Sequence, residues 1–288
     1  MSPASQSALC DHRVSPHELV HFHLVEDTRM ISEQLVREFT VDSLRVKVFP
    51  DRNALGKAAA SEVADEIRRV SRVKTNLNVI FAAAPSQNEF LNELSRAEDV
   101  EFSRIIAFHM DEYLGLQESA EQRFGNYLKR RLFTRVEFKQ VHYLEPSDED
   151  PEAECTRYAA LLADNPADIV CMGIGENGHI AFNDPSVADF GDPQAVKVVA
   201  LDEKSRLQQV HDKCFSRLEE VPRRAVTLTI PALFKAEFIC CVVPGRSKAE
   251  AVKCTLREAV APGCPASILR RHRNATLFLD VESSKFVL

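Results

Sequence analysis

The chain has 288 residues, room for one large α/β unit or two smaller domains. With 45% hydrophobic and 27% charged residues it falls outside the disordered, collagen-like and low-complexity classes, so a folded core is expected. A formal net charge of -7 argues against a general phosphate-backbone binder, which needs a dense Lys/Arg face, yet a few local cations can still hold a small anion.

Residues 1–40 read as an N-terminal extension and residues 41–288 as a single domain. From Met1 to about His23 there is no continuous apolar h-region, and no stretch approaches the length of a membrane span. We expect a cytoplasmic protein with no membrane or nucleic-acid partner. His21 and His23 form a His-x-His pair, but without a fuller ligand set a solvated tail is the better reading than a metal site. Apolar Met30, Ile31, Leu35 and Val36 predict a helix over residues 26–39.

From Leu44 short β-rich runs alternate with helical segments, beginning with Leu-Arg-Val-Lys-Val-Phe and an Ala-rich helix from Asn53 to about Val70. Further strands are predicted at 77–82, 105–110, 141–144, 168–172, 197–201, 225–230, 237–243 and 275–281. Near-continuous apolar runs such as Ile-Val-Cys-Met and Phe-Ile-Cys-Cys-Val-Val suit a sheet covered on both faces. The fold class is therefore α/β: a Rossmann-like, doubly wound, mostly parallel sheet with helices on both faces. The eight cysteines include no CxxC pair and several lie in apolar runs, which favours buried free thiols over disulfides or zinc.

In such a sheet ligands bind beyond the carboxyl ends of the strands, so the segments that follow strands carry the candidate chemistry. After the first, Ala82-Ala-Ala-Pro-Ser-Gln-Asn88, Ser86 is a candidate N-cap beside amides that could take a phosphate; an ordinary cap fits equally. In Phe-His-Met-Asp-Glu-Tyr-Leu-Gly-Leu, Asp111 and Glu112 follow an apolar strand, where partial desolvation makes a carboxylate a useful base. Alternation points the two in opposite directions, so one faces the cleft. A solvated cap is the alternative. Gly-Ile-Gly-Glu-Asn-Gly-His-Ile-Ala-Phe-Asn-Asp-Pro, from Gly173, matches G-x-G-x-x-G, but no helix opens at its glycines as a dinucleotide site requires. Instead the glycines permit a sharp turn with His179 near Asp184, a tunable acid/base; a histidine merely satisfied in a turn fits as well. In Val-Val-Pro-Gly-Arg-Ser-Lys, Arg246 and Lys248 are available to an anion or simply solvated.

These segments resemble the glucosamine-6-phosphate deaminase family, related to the 6-phosphogluconolactonases, from about Leu44 onward. Met-Asp-Glu-Tyr-Leu-Gly-Leu at 110–116 and Gly-Ile-Gly-Glu-Asn-Gly-His-Ile-Ala-Phe-Asn at 173–183 carry the likeness. Tyr113 and the Ile-Ala-Phe-Asn run favour the deaminase branch over lactonases, which tend to Asp-Glu-Arg and Gly-His-Thr-Ala-Ser. The resemblance implies Asp111 as the base moving a proton between C2 and C1, His179 as the ring-opening catalyst, Asp184 as its support and Asn177 as a relay member. It implies Lys248 on the sugar phosphate, with Ser86, Gln87 and Arg206 assisting and Gly178 offering backbone. No cofactor or metal is implied, the partner is a small sugar phosphate, and a homo-oligomer is left open. The chain departs from the family at Ala83 to Gln87, where a Thr-Gly-Ser-Thr-Pro type loop is usual, and at Gln209, where a phosphate arginine is common. A lactonase-type hydrolase and a non-catalytic sugar-phosphate sensor are the alternative functions.

Overall fold

The computed structural model describes Met1 and residues 35–288; Cys10, the His21/His23 pair and most of the predicted 26–39 helix lie outside the described residues. The described end of that helix is corrected, because Arg37–Val41 forms strand β1, antiparallel to β2 (Leu44–Phe49). Phe39 and Val41 alternate with polar residues and pack on the core, a period-2 pattern that a hairpin uses and a helix cannot. Residues 37–40, assigned above to the extension, thus belong to the sheet.

The chain continues through α1 (Arg52–Ser71), β3 (Leu77–Phe81), α2 (Asn88–Leu94), β4 (Ile105–His109), β5 (Asp111–Tyr113), α3 (Phe124–Leu128) and β6 (Gln140–His142). There follow α4 (Pro151–Asp164), β7 (Ile169–Met172), β8 (Val196–Ala200), α5 (Glu203–His211), β9 (Arg224–Leu228) and α6 (Ile230–Phe234). The fold closes with β10 (Phe238–Val243), α7 (Ala249–Arg257) and β11 (Ala275–Asp280). Eight strands make the main sheet in the order β1-β2-β11-β10-β7-β3-β4-β6, parallel except for β1.

Alternate residues of the buried strands sort onto two faces. Ile80, Phe108, Val170, Met172, Ile239 and Cys241 join one core with Cys155 and Tyr158 of α4 and Val252 of α7. Val79, Phe81, Ile169, Cys171, Cys240 and Val242 join the other with Leu55, Ala59, Val63 and Ile67 of α1. Full burial of each large aliphatic contributes about 1.5–3 kcal/mol, so both faces must be covered by helices. Asp51 starts α1 by accepting from the amides of Asn53 and Ala54, which satisfies orphan donors of the first turn.

One expectation about the sheet is corrected. The predicted strands at 197–201 and 225–230 do not enter it; β8 and β9 pair antiparallel with each other, and β5 joins β9, in a separate three-stranded sheet. Among the described cysteines five are buried and Cys214 and Cys254 half-buried, all as free thiols.

Candidate active site

From β3 the main sheet grows outward through β4 to β6, whereas from β7 it grows the other way through β10 to β11. The direction reverses between β3 and β7, where loops diverge at the strand ends and leave a crevice. A cleft of about 490 Å³ opens there. It is lined by Ser86 and Gln87 after β3, Asp111 after β4, Gly173, Gly175 and His179 after β7, and Lys248 after β10. Met110, Phe124, Ala181 and Phe182 make an apolar wall, and Gln208 and Gln209 of α5 complete the lining from the same chain.

Asp111 and Glu112 separate as the alternation requires. Asp111 pairs with Thr227 of β9, is 6% exposed and faces the cleft. Burial, and then the charge of Glu112, pushes its carboxyl well above the usual aspartate range. Glu112 turns away. It accepts the amides of Tyr113 (2.9 Å), Phe124 (3.0 Å) and Gly125 (3.0 Å), with Arg123 Nε at 3.7 Å. It thereby fixes the strand to α3, a tying role.

Behind Asp111 lies His109, whose contribution the sequence reading missed. Its Nε2 accepts the Leu144 amide at 2.9 Å, so Nδ1 carries the proton and donates to the Asp111 carbonyl at 3.0 Å. Burial lowers its pKa to about 4, so the ring is neutral at physiological pH. The only sequence signal was a polar residue ending an apolar strand.

The turn Gly173–Gly178 opens no helix, and His179 follows it. Its ring is oriented at Nδ1, which lies 2.7 Å from Asn177 Oδ1 and 3.0 Å from Asp184 Oδ1, with Ser205 Oγ at 3.4 Å. Asn177 Nδ2 donates to Asp184 Oδ1 (2.9 Å) and the Asp202 amide donates to Asp184 Oδ2 (2.9 Å). Burial works to raise Asp184, but His179, Asn177 and the Asp202 amide together hold it below the usual aspartate value. A buried anion thus backs the imidazole on one side, while Nε2 makes no hydrogen bond among the described residues. Gly175 is needed beneath the ring, since a Cβ there would lie 2.1–2.4 Å from its atoms.

Three expected contacts differ. Arg206 is buried, but its guanidinium donates to the carbonyls of Leu218 (2.7 Å) and Val221 (2.9 Å) and does not line the cleft. Gly178, at φ 85°, gives its N–H to Gly175 and its carbonyl to Ala266, so its backbone is spent within the protein. Ser86 is not an N-cap: a 3-10 turn, Pro85–Gln87, precedes α2, and Ser86 Oγ accepts from Gln87 Nε2 at 3.3 Å.

Lys248 is 4% exposed, and its ammonium makes no hydrogen bond or ion pair among the described residues. Burial lowers its pKa, opposed by the charges of Asp212 and Glu176. No group of three or more His, Cys, Asp or Glu suited to a metal ion occurs among the described residues.

Residues 50–278 match the model of the family described as glucosamine-6-phosphate isomerases/6-phosphogluconolactonase. The chain belongs to this family. It is 36% identical over 217 residues to the glucosamine-6-phosphate deaminases of Bacillus thuringiensis (strain Al Hakam) and Bacillus cereus (strain AH820), covering 75% of this chain and 80% of each relative. Among solved structures it is similar to a monomeric glucosamine-6-phosphate deaminase, with TM-score 0.76 and 29% identity over 83% of this chain and 98% of that one. The 6-phosphogluconolactonase of Thermotoga maritima shares the fold at TM-score 0.66 and 17% identity, over 82% of this chain and 99% of that one. Among the described residues of this family member no helix is long and apolar enough to cross a membrane.

Proposed function

We propose that this chain converts glucosamine 6-phosphate and water into fructose 6-phosphate and ammonia, without a metal. One observation carries the reading: the buried Asp111 carboxylate and the Asp184-backed His179 line the same cleft as the unpaired Lys248 ammonium. The deaminases named above support it at the level of sequence.

His179 takes the proton of the C1 hydroxyl and passes it to the ring oxygen, opening the pyranose. Asp184 and Asn177 hold its Nδ1 side. Asp111 then removes the C2 proton of the aldehyde and delivers it to C1, while one proton passes from the C2 ammonium to the C1 oxygen, leaving a protonated imine at C2. Water adds to that carbon and ammonia departs, which yields the ketose. A desolvated carboxylate serves both proton transfers because its pKa lies closer to the working pH. Lys248 and Ser86 hold the phosphate end, while Gln87, expected there from the sequence, spends its Nε2 on the Val242 carbonyl; a bound remote group lowers the entropic barrier for the reacting carbons. A cytoplasmic location fits the free thiols among the described residues.

The test is release of ammonia and fructose 6-phosphate from glucosamine 6-phosphate with a chelator present, run beside 6-phosphogluconolactone. Equal release of both products is expected. No release, or release only after a divalent metal is restored, overturns the corresponding part of the proposal.

A further inference from the structure

The anion end of the cleft holds less positive charge than a doubly charged phosphate ester calls for. Among the described residues Lys248 is the only lysine or arginine lining it. The neighbouring arginines are committed elsewhere: Arg206 caps the carbonyls of Leu218 and Val221, and Arg52 is held by Glu89 (2.8 Å) and the Pro85 carbonyl (3.1 Å). Lys248 itself feels the charges of Asp212 and Glu176, and the Asp111 carboxyl lines the same cleft.

The remaining polar lining is neutral. Gln209 is 7% exposed, and its side-chain amide makes no hydrogen bond among the described residues, so a carboxamide dipole is offered to whatever enters. Gln87 is oriented by its Nε2, which donates to the Val242 carbonyl at 3.0 Å; turning the amide over would set oxygen against oxygen. Its Oε1 is consequently buried without a donor and adds negative potential to the cleft wall. A carboxamide can donate one hydrogen bond to an ester oxygen but cannot neutralise a second negative charge.

Resting on the reading of this cleft as an amino-sugar-ester site, we infer that its anion end selects a singly charged tetrahedral ester, with Gln209 as the residue that sets the preference. Both a sulfate monoester and the monoanion of a phosphate monoester have this character. Acidity separates the two sources. A phosphate monoester loses its second proton near pH 6, whereas a sulfate ester keeps one charge throughout.

The experiment is calorimetric titration of the full-length chain with glucitol 6-phosphate and glucitol 6-sulfate at pH 5.5 and pH 8.0. Neither compound has a carbonyl, so neither can react. Changes in Lys248 or in the protein's own carboxylates act on both ligands and largely cancel in the affinity ratio. The ratio of phosphate to sulfate affinity is expected to fall by about tenfold or more between the two pH values, following the monoanion fraction. Gln209→Arg should abolish most of that fall by favouring the dianion. A ratio in the wild-type chain that is flat, or that rises with pH, overturns the inference whether or not the variant folds. Lys248→Met should weaken both ligands; unchanged binding would show that the ester lies elsewhere and overturn it too. Ammonia release is scored separately: a chain with a falling ratio and no ammonia keeps the charge preference and loses the deaminase reading, and the opposite result does the reverse.

Discussion

Asp111 and Glu112 are adjacent carboxylates with different fates, and the difference is one of hydrogen bonds. Three backbone amides satisfy Glu112, whereas Asp111 is left to the cleft with a pKa raised by burial. If Asp111 is the base, Asp111→Asn should lower kcat by about 10²–10⁴-fold while calorimetric affinity for glucitol 6-phosphate stays within error. The acidic limb of kcat/KM should also lie above the ordinary aspartate range, because only the ionised form abstracts a proton. His109 makes a separate prediction. Its folded pKa of about 4 lies below its ordinary 6.5, so between those values the unfolded chain binds a proton that the folded chain refuses. Stability from this group is therefore present above pH 6.5 and lost as pH falls towards 4. Urea unfolding should show the advantage of wild type over His109→Gln shrinking by about 2 kcal/mol between pH 7.5 and pH 5, since each unit within that window is worth about 1.4 kcal/mol. An advantage independent of pH would mean that His109 takes up a proton as readily in the folded chain as in the unfolded one.

At the scale of the element, the loop after β7 is a device for aiming one imidazole. The turn at Gly175 leaves room for the ring, while Asn177 and Asp184 hold its Nδ1 edge. Gly175→Ala should push the ring off these partners, because the new Cβ would sit 2.1–2.4 Å from ring atoms. We expect turnover of glucosamine 6-phosphate to fall by about 100-fold, the size usual for loss of one acid/base group, with little change in Tm. A large fall in Tm with proportionate loss of activity would instead make Gly175 a packing requirement. The motif was legible in the sequence because its glycines and histidine are contiguous. The contacts of α5 were not: Arg206 and Gln209 lie on one short helix, and only its docking puts the arginine on Leu218 and Val221 and the glutamine in the cleft.

At the scale of the whole molecule, the small sheet is coupled to the loop that carries His179. Asn183 Nδ2 donates to the carbonyls of Ile180 and Leu228, each at 2.9 Å, and Thr227 Oγ1 accepts the Phe182 amide at 3.1 Å. Asn183→Ala removes two buried hydrogen bonds, although the Ile180 carbonyl keeps the backbone amide of position 183 and the Leu228 carbonyl keeps Thr227 Oγ1, and should cost about 1–3 kcal/mol in denaturant unfolding, with a parallel loss of activity as the loop loosens. The sequence by itself determined the parallel core and the places where chemistry could stand. Apolar runs at buried strands and the strand-end motifs are local patterns, set by a side-chain period of two and by neighbours in the chain. Only the tertiary structure decided that 37–41 is an edge strand, that β8 and β9 leave the main sheet, and that Gln209 lines the cleft and His109 stands behind Asp111 while Arg206 turns away. Those outcomes depend on which distant backbone carbonyls and amides remain to be satisfied once the elements have packed, and no local pattern contains that information.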